Sequence, residues 1–307
     1  MQSELSVNAS AETEARVVDL ELETDRVRLA SRIAKDIDAA CIKMYADGHR
    51  EHLGGSLIAD PCSRKLWSVF RWLKEERFSG RMYRLFDRGH REEERFVAWL
   101  RGIGCEVQEF DTVVDGEGTQ IRISGVNGHF GGSLDGRLKL PARYNVADQV
   151  MLAEFKTSGT GSGFNNLRTS GVERQKPLHF AQMSVYGLKH GYKYAIYLCI
   201  NKNDDALYVE VVKLNWALGK TLEDKAHDVI NSRVPPPKIS QSPTSFACKW
   251  CHFAPICHYD EAPEKNCRSC VHAVPIENKQ WGCEKYEQII PVDFIAKGCD
   301  DWMPITR

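Results

Sequence analysis

The spacing of apolar residues predicts five helices and three well-defined strands along the chain. Val27, Leu29, Ile33 and Ile37 recur at helical spacing and predict a helix over residues 25–47. The same criterion predicts helices over 63–75, 87–101, 179–190 and 216–230. Compact apolar runs predict strands over 149–155, 194–201 and 206–214, after a β-rich region over 105–140. This order predicts an α/β fold in which helices flank a mixed central sheet.

Changes in composition divide the chain into three parts. Residues 1–24 are acidic and polar and are expected to be a flexible leader, because they lack the apolar core of a secretion signal. Residues 25–260 are expected to form the main domain. The run Pro235-Pro236-Pro237 precedes a cysteine-rich tail, and we expect residues 261–307 to form a small metal-binding module. No stretch reaches the roughly 20 apolar residues of a membrane helix, so we expect a cytoplasmic protein.

Eleven cysteines in a chain without a secretion signal predict metal ligands rather than disulfides. Cys248-x2-Cys251 and Cys267-x2-Cys270 have the spacing of a zinc ribbon, which is one possible partition. A second partition uses eight cysteines in two sets of four, because the distant Cys62 completes the first triplet. The first set would be Cys62, Cys248, Cys251 and Cys257, and the second, a Zn²⁺ site, would be Cys267, Cys270, Cys283 and Cys299. His272 is a weaker candidate for that site, and Cys41, Cys105 and Cys199 are interpreted as structural thiols.

Two carboxylates and a lysine are candidates for phosphodiester chemistry. Glu154 and Lys156 are two residues apart on a predicted strand and therefore share one face, whereas Phe155 points to the other. With Asp135 they would bind Mg²⁺ or Mn²⁺ through hard oxygens. The alternative is an exposed polar face of an amphipathic strand. However, Glu154 interrupts an apolar run, and a buried carboxylate needs a partner.

The order Gly-x-x-Asp (ending at Asp135), Glu154-x-Lys156 and Gln182-x3-Tyr186 resembles the PD-(D/E)XK nuclease superfamily, in particular its RecB-like branch. The resemblance implies a restriction-endonuclease-like fold and a deoxyribonuclease. It also implies that His90, Asp135, Glu154 and the carbonyl of Phe155 bind the metal, that Lys156 is catalytic, and that Gln182 and Tyr186 approach the DNA. The first cysteine set is similar to the iron–sulfur arrangement of Cas4-like nucleases, which implies a [4Fe-4S] cluster.

These features together predict an exonuclease that acts on single-stranded or duplex DNA ends in recombination, repair or CRISPR-type DNA processing. Its expected partners are DNA and either further copies of the chain, as a homo-oligomer, or a recombination partner protein. The short form also resembles phage-encoded recombination exonucleases. A non-catalytic DNA-binding or assembly module that keeps the fold is the alternative. The net charge of −1 means that any DNA-binding surface must be local. Arg84, Arg88 and Arg91 are candidates for phosphate contacts, although the intervening glutamates allow an ion-paired, solvated face instead. Trp281, Tyr286 and Trp302 of the tail would stack on bases or form a small core.

Overall fold

The computed structural model describes residues 20–114, 117–146, 148–159 and 161–306. It contains two compact units. One comprises Met1–Ala46 and Phe78–Arg84, and the other comprises Asp47–Arg77 and Leu85–Arg307. Most of the leader predicted over residues 1–24 lies outside the described residues.

The helices and strands follow the predicted order, with additional short elements. The helices are α1 (Glu23–Tyr45), α2 (Ser63–Phe70), α3 (Gly80–Gly102), α4 (Ser162–Gln175), α5 (Pro177–His190), α6 (Trp216–Asn231), α7 (Ala254–His258) and α8 (Val292–Ile295). The strands are β1 (Leu53–Gly54), β2 (Glu106–Gln108), β3 (Phe110–Val114), β4 (Glu117–Gln120), β5 (Arg122–Gly125), β6 (Phe130–Ser133), β7 (Gly136–Lys139), β8 (Met151–Ser158), β9 (Tyr194–Asn201), β10 (Leu207–Lys213), β11 (Ala273–Pro275), β12 (Trp281–Cys283) and β13 (Gln288–Ile289). No helix in the described part of the chain is long and apolar enough to span a membrane.

A five-stranded mixed sheet in the order β10-β9-β8-β7-β2 organises the larger unit. β8 and β9 are parallel, and the other neighbouring pairs are antiparallel. The predicted mixed central sheet flanked by helices is therefore confirmed. The pairing of Gly136 with Ala153 brings Asp135, one residue earlier, beside Glu154.

Apolar clusters cover both faces of this sheet. On one face, Phe96 and Val97 of α3 pack with Phe155 of β8 and its neighbours, and the rings of Phe96 and Phe155 stack with centroids 5.2 Å apart. On the other face, Leu152 belongs to a larger cluster that includes residues of α2, α5 and α6. Because side chains alternate along a strand, Glu154 and Lys156 share the second face.

The cysteine-rich tail belongs to the same compact unit as the sheet. Trp281 of β12 is buried in the larger cluster, with its ring 5.2 Å from that of Phe70 in α2. The guanidinium carbons of the buried Arg71 and Arg268 lie 5.1 and 4.6 Å from the Trp281 ring centroid. Trp281 therefore joins the tail to the core through cation–π contacts, rather than forming a separate small core.

The unit that contains α1 has little apolar packing of its own. No residue of α1 is buried, and Arg84 pairs with Asp38 of this helix at 2.5 Å. The backbone of Asp38 leaves no space for a Cβ atom at position 80, which explains the glycine there. A helix without buried side chains draws little stability from tertiary packing.

Candidate active site and cysteine cavities

Two carboxylate oxygens and one backbone carbonyl oxygen lie close to the ammonium group of Lys156. Lys156 Nζ lies 2.5 Å from Glu154 Oε1, 3.6 Å from Asp135 Oδ2 and 2.9 Å from the carbonyl oxygen of Phe155, to which it donates a hydrogen bond. Asp135 Oδ2 also accepts a hydrogen bond from the Phe155 amide at 2.7 Å. The structure thus brings the predicted residues Asp135, Glu154 and Phe155 together around the positively charged ammonium group of Lys156.

Glu154 is completely buried. Burial raises the pKa of its carboxyl group, and the nearby Lys156 opposes that rise. Within the described part of the chain, Glu154 Oε2 has no hydrogen-bond partner. A buried carboxylate oxygen without a partner is costly, so this geometry favours a bound cation.

The predicted Gln182 and Tyr186 lie one turn apart on α5, and both are buried. Burial raises the pKa of Tyr186, and the charges of Glu154 and Asp135 raise it further. A Cβ atom at position 55 would lie 2.7 Å from the Tyr186 ring, and one at Gly132 would overlap the Tyr186 hydroxyl. The two glycines Gly55 and Gly132 therefore make room for the Tyr186 ring.

His90 is exposed on α3, and no carboxylate among the described residues forms an ion pair with it. Its role as a metal ligand stays a prediction. Glu93, three residues later on the same helix, is a further candidate that was not predicted from the sequence. Burial raises the pKa of Glu93 to about 7, with the nearby Asp135 and Glu154 contributing and Lys156 opposing. The sequence carries no signal for this placement, because it depends on how α3 packs on the sheet, where Phe96 stacks on Phe155.

A second group that the sequence analysis missed is His179 with Tyr197. Tyr197 pairs with Glu154 in the β8–β9 register, and its hydroxyl lies 2.9 Å from His179 Nδ1 on α5. Burial lowers the pKa of His179 to about 4, and Lys156 lowers it further. A neutral imidazole therefore lies beside the catalytic candidates, and its contact with Tyr197 orders the side of the site that faces α5.

The first cysteine set lines one cavity of about 210 Å³, which we call the large cysteine cavity; its thiols are Cys62, Cys248, Cys251 and Cys257. Arg64, Lys65 and Lys238 also line it, against a single acidic residue, Asp60. Cys62 is the N-cap of α2, and its sulfur accepts a hydrogen bond from the Lys65 amide at 3.4 Å.

The second set lines another cavity, of about 20 Å³, which we call the small cysteine cavity; its thiols are Cys267, Cys270, Cys283 and Cys299. Burial raises the pKa of Cys267 to about 11, and the other three cysteines of the set raise it further. His272 lines this cavity too. The two halves of the zinc-ribbon pattern, Cys248-x2-Cys251 and Cys267-x2-Cys270, thus line different cavities.

No three His, Cys, Asp or Glu side chains are arranged as ligands of a single metal ion in the ranges that the structure describes. The cysteines of each set line a common cavity, but their side chains are not arranged as ligands around one metal ion. At the carboxylate site, the third oxygen is a backbone carbonyl, which is not a side-chain ligand.

The three candidate phosphate ligands on α3 contact other protein groups. Arg84 pairs with Asp38, Arg91 pairs with Asp87 at 2.9 Å, and Arg88 donates to the carbonyl of Lys202 at 3.1 Å. These contacts agree with the ion-paired alternative for this helix. A DNA-binding role for the three arginines stays a prediction.

Comparisons with known proteins reveal distant structural likeness only. No protein-family model and no curated protein matches the sequence. The chain is similar to the crystal structure of SSO0001, with 16% identity over 73% of this chain and 96% of that chain and a TM-score of 0.40. It is also similar to the alkaline exonuclease LHK-Exo from Laribacter hongkongensis, at 16% identity, and to LHK-Exo in complex with dAMP, at 17%. Each of these covers 63% of this chain and 89% of that chain, with a TM-score of 0.39.

Proposed function

We propose that the protein is a metal-dependent DNA exonuclease of the PD-(D/E)XK type, which hydrolyses phosphodiester bonds from DNA ends with little sequence preference. The supporting observation is the convergence of Glu154 Oε1, Asp135 Oδ2 and the Phe155 carbonyl on one cationic group. A strand that carries only a solvated polar face would not bury Glu154 completely.

The residues at this point fit a divalent metal. Asp135, Glu154 and the Phe155 carbonyl supply hard oxygens, and Glu154 Oε2 has no hydrogen-bond partner among the described residues. Mg²⁺ or Mn²⁺ bound by these residues would polarise the scissile phosphate and lower the pKa of an attacking water. Lys156 would turn its ammonium towards the phosphate oxygens, where negative charge grows in the transition state. Gln182 and Tyr186 would hold the strand against the site.

The remaining ligand of this site is proposed to come from α3. The family resemblance assigns it to His90, whereas the electrostatic coupling to Asp135 and Glu154 favours Glu93. Comparing His90→Ala with Glu93→Ala separates the two, because only the ligand's loss should weaken Mn²⁺ binding measured by isothermal titration calorimetry.

We also propose that the large cysteine cavity binds a [4Fe-4S] cluster and that the small cysteine cavity binds Zn²⁺. The four thiols around each cavity support this partition. The difference in volume supports the assignment, because a cavity of about 20 Å³ suits one ion, whereas one of about 210 Å³ has space for a cluster. The proposed setting is DNA recombination, repair or CRISPR-type processing.

The test of the nuclease function is digestion of end-labelled single-stranded and duplex DNA with Mg²⁺ or Mn²⁺. We expect Glu154→Gln to reduce the rate at least about 10³-fold, because it removes a metal ligand. Glu223→Gln is the matched control, since Glu223 also pairs with a lysine, Lys189, but lies on α6. Near-normal cleavage by purified Glu154→Gln protein would contradict the active site. DNA binding without cleavage by the wild type would favour the non-catalytic module.

A further inference from the structure

Two aromatic side chains beside the large cysteine cavity are almost fully exposed. Phe246 is 89% exposed and Trp250 is 85% exposed, more than any other exposed phenylalanine, tyrosine or tryptophan in the described ranges. The Nζ atom of Lys249 lies 5.5 Å from the Phe246 ring centroid and 5.7 Å from the Trp250 ring centroid. Large apolar side chains exposed as a group, rather than singly, mark a binding surface.

The backbone beneath these side chains is a hydrogen-bonded turn. The amides of Cys248 and Lys249 both donate to the carbonyl of Ser245, at 3.0 and 2.9 Å, and the Cys251 amide donates to Cys248. Cys248 itself is buried. The two rings therefore project from an anchored segment, so little conformational entropy is lost when a ligand stacks on them.

The charge around the rings is positive. From Val229 to Tyr259 the chain carries no aspartate or glutamate, whereas it carries Arg233, Lys238 and Lys249 in addition to two histidines. Lys249 contacts the two rings, and no carboxylate among the described residues pairs with it. An unpaired ammonium between two exposed rings combines the two features that bind a single strand, which are a cation for phosphate and flat faces for bases.

We propose that Phe246, Lys249 and Trp250 form a stacking platform that binds single-stranded nucleic acid without sequence preference. The inference deepens the proposed nuclease function, and it rests on that function for the identity of the strand as DNA. Duplex DNA does not fit the platform, because its bases are already stacked on one another. The platform would hold unpaired bases of a substrate strand.

The test measures the affinity of the full-length protein for a fluorescent oligo(dT) by anisotropy. Measurements use the Glu154→Gln background without added Mg²⁺ or Mn²⁺, so that binding is separated from cleavage. We expect Trp250→Ala to raise Kd about tenfold and Phe246→Ala with Trp250→Ala to raise it further, whereas Trp250→Phe retains most of the affinity. Phe294→Ala is the matched control, since Phe294 is also exposed and has a lysine, Lys297, with its Nζ atom 5.4 Å from the ring centroid, but it lies in the acidic tail.

An abasic oligonucleotide of the same length provides the second comparison. It keeps the phosphates and removes the bases, so Trp250→Ala should not change its Kd. An unchanged Kd of Trp250→Ala for oligo(dT), or an equal loss for the abasic strand, would overturn the platform. Because Phe246 also lines the large cysteine cavity, Trp250→Ala alone decides the outcome.

Two further measurements separate this inference from its alternatives. Binding to anionic phosphatidylserine vesicles that is lost in Trp250→Ala, with oligo(dT) binding unchanged, would make the surface a membrane site and overturn the proposal. Cleavage by the wild type together with unaltered strand binding by Trp250→Ala would refute the platform and leave the nuclease function standing. Strand binding that depends on Trp250, without any cleavage by the wild type, would support the platform and contradict the nuclease function.

Discussion

The two cysteine cavities have the same number of thiols but differ in space, chain span and charge. The large cysteine cavity has a volume of about 210 Å³ and joins Cys62 to residues far along the chain, with three basic side chains around it. The small cysteine cavity has a volume of about 20 Å³, and all its thiols lie between Cys267 and Cys299. The thiols alone therefore do not determine what each cavity binds. Under the proposed assignment, the space between the thiols and the length of chain that they close would distinguish a cluster site from a single-ion site.

The largest expected effect is that of Cys62→Ser. Loss of this thiol should remove the brown iron chromophore and about four irons while sparing about one zinc, because Cys62 belongs only to the large cavity. The fold should also lose stability, since the cluster would close a very long loop. Metal analysis and visible absorption of anaerobically purified protein measure both effects. Cys105→Ser, a change at a cysteine outside both cavities, should keep both metals.

The metal content of the wild-type protein could contradict the assignment of a cluster to the large cysteine cavity. If the wild-type protein, prepared anaerobically with iron supplied, were colourless and carried two zinc ions, the large cavity would not hold a cluster. The zinc-ribbon spacing of Cys248-x2-Cys251 and Cys267-x2-Cys270 would then regain support.

The second effect is that of Cys283→Ser, which should remove zinc and leave the iron chromophore intact. We expect the melting temperature to fall, because a structural zinc site contributes folding free energy. The fall should be smaller than for Cys62→Ser, since the small cavity closes only a short segment of chain. Calorimetry with parallel zinc and iron analysis checks this order. Loss of iron together with zinc would show that the two cavities do not act independently.

The third effect tests how the small cavity is attached to the core. Trp281 is buried and makes cation–π contacts with Arg71 and Arg268, and it lies two residues before Cys283. We expect Trp281→Ala to lower the free energy of unfolding by about 3–5 kcal/mol, as is usual for large-to-small changes of buried aromatic residues. Denaturant unfolding measures this. Trp250→Ala, at an exposed tryptophan, should change stability by less than about 0.5 kcal/mol. Equal values for the two variants would mean that the tail folds apart from the core.

Elements with regular apolar patterns could be predicted well from the sequence. The strand predicted over 194–201 coincides with β9, and the helix over 216–230 differs from α6 by one residue. In contrast, α4 was not predicted, because its polar sequence includes Gly171, which breaks helical geometry at φ 71°. The helix predicted over 63–75 ends at Phe70, since the next residues leave the helical path and Trp72 has a φ of 53°.

The candidate site residues that could be predicted are those identified by residue type and by the alternation of side chains along a strand. Asp135, Glu154 and Lys156 meet because antiparallel pairing brings Asp135 beside Glu154. Glu93 and His179 were missed because the orientation of a helix relative to the sheet depends on tertiary packing. For Glu93 on α3 this packing is the stacking of Phe96 on Phe155. Arg71 and Arg268 were missed for a different reason. Arginine is almost always solvent-exposed, and only the assembled structure supplies the aromatic rings and carbonyl oxygens that accommodate them.

The smallest expected effect distinguishes a redox-active site from an inert one. Lys65 lines the large cavity, whereas Lys285 lines the small one. A cluster becomes more negative when reduced, so removing a nearby positive charge should disfavour reduction. Lys65→Met should therefore lower the reduction potential by tens of millivolts or so, a shift moderated by the ion pair of Lys65 with Asp60 at 2.7 Å. Lys285→Met should leave the potential unchanged, because Zn²⁺ has no redox chemistry in proteins. A redox titration followed by electron paramagnetic resonance measures both variants. An equal shift in the two would place the redox centre between the cavities rather than in the large one, and a rise in potential for Lys65→Met would contradict the electrostatic reasoning.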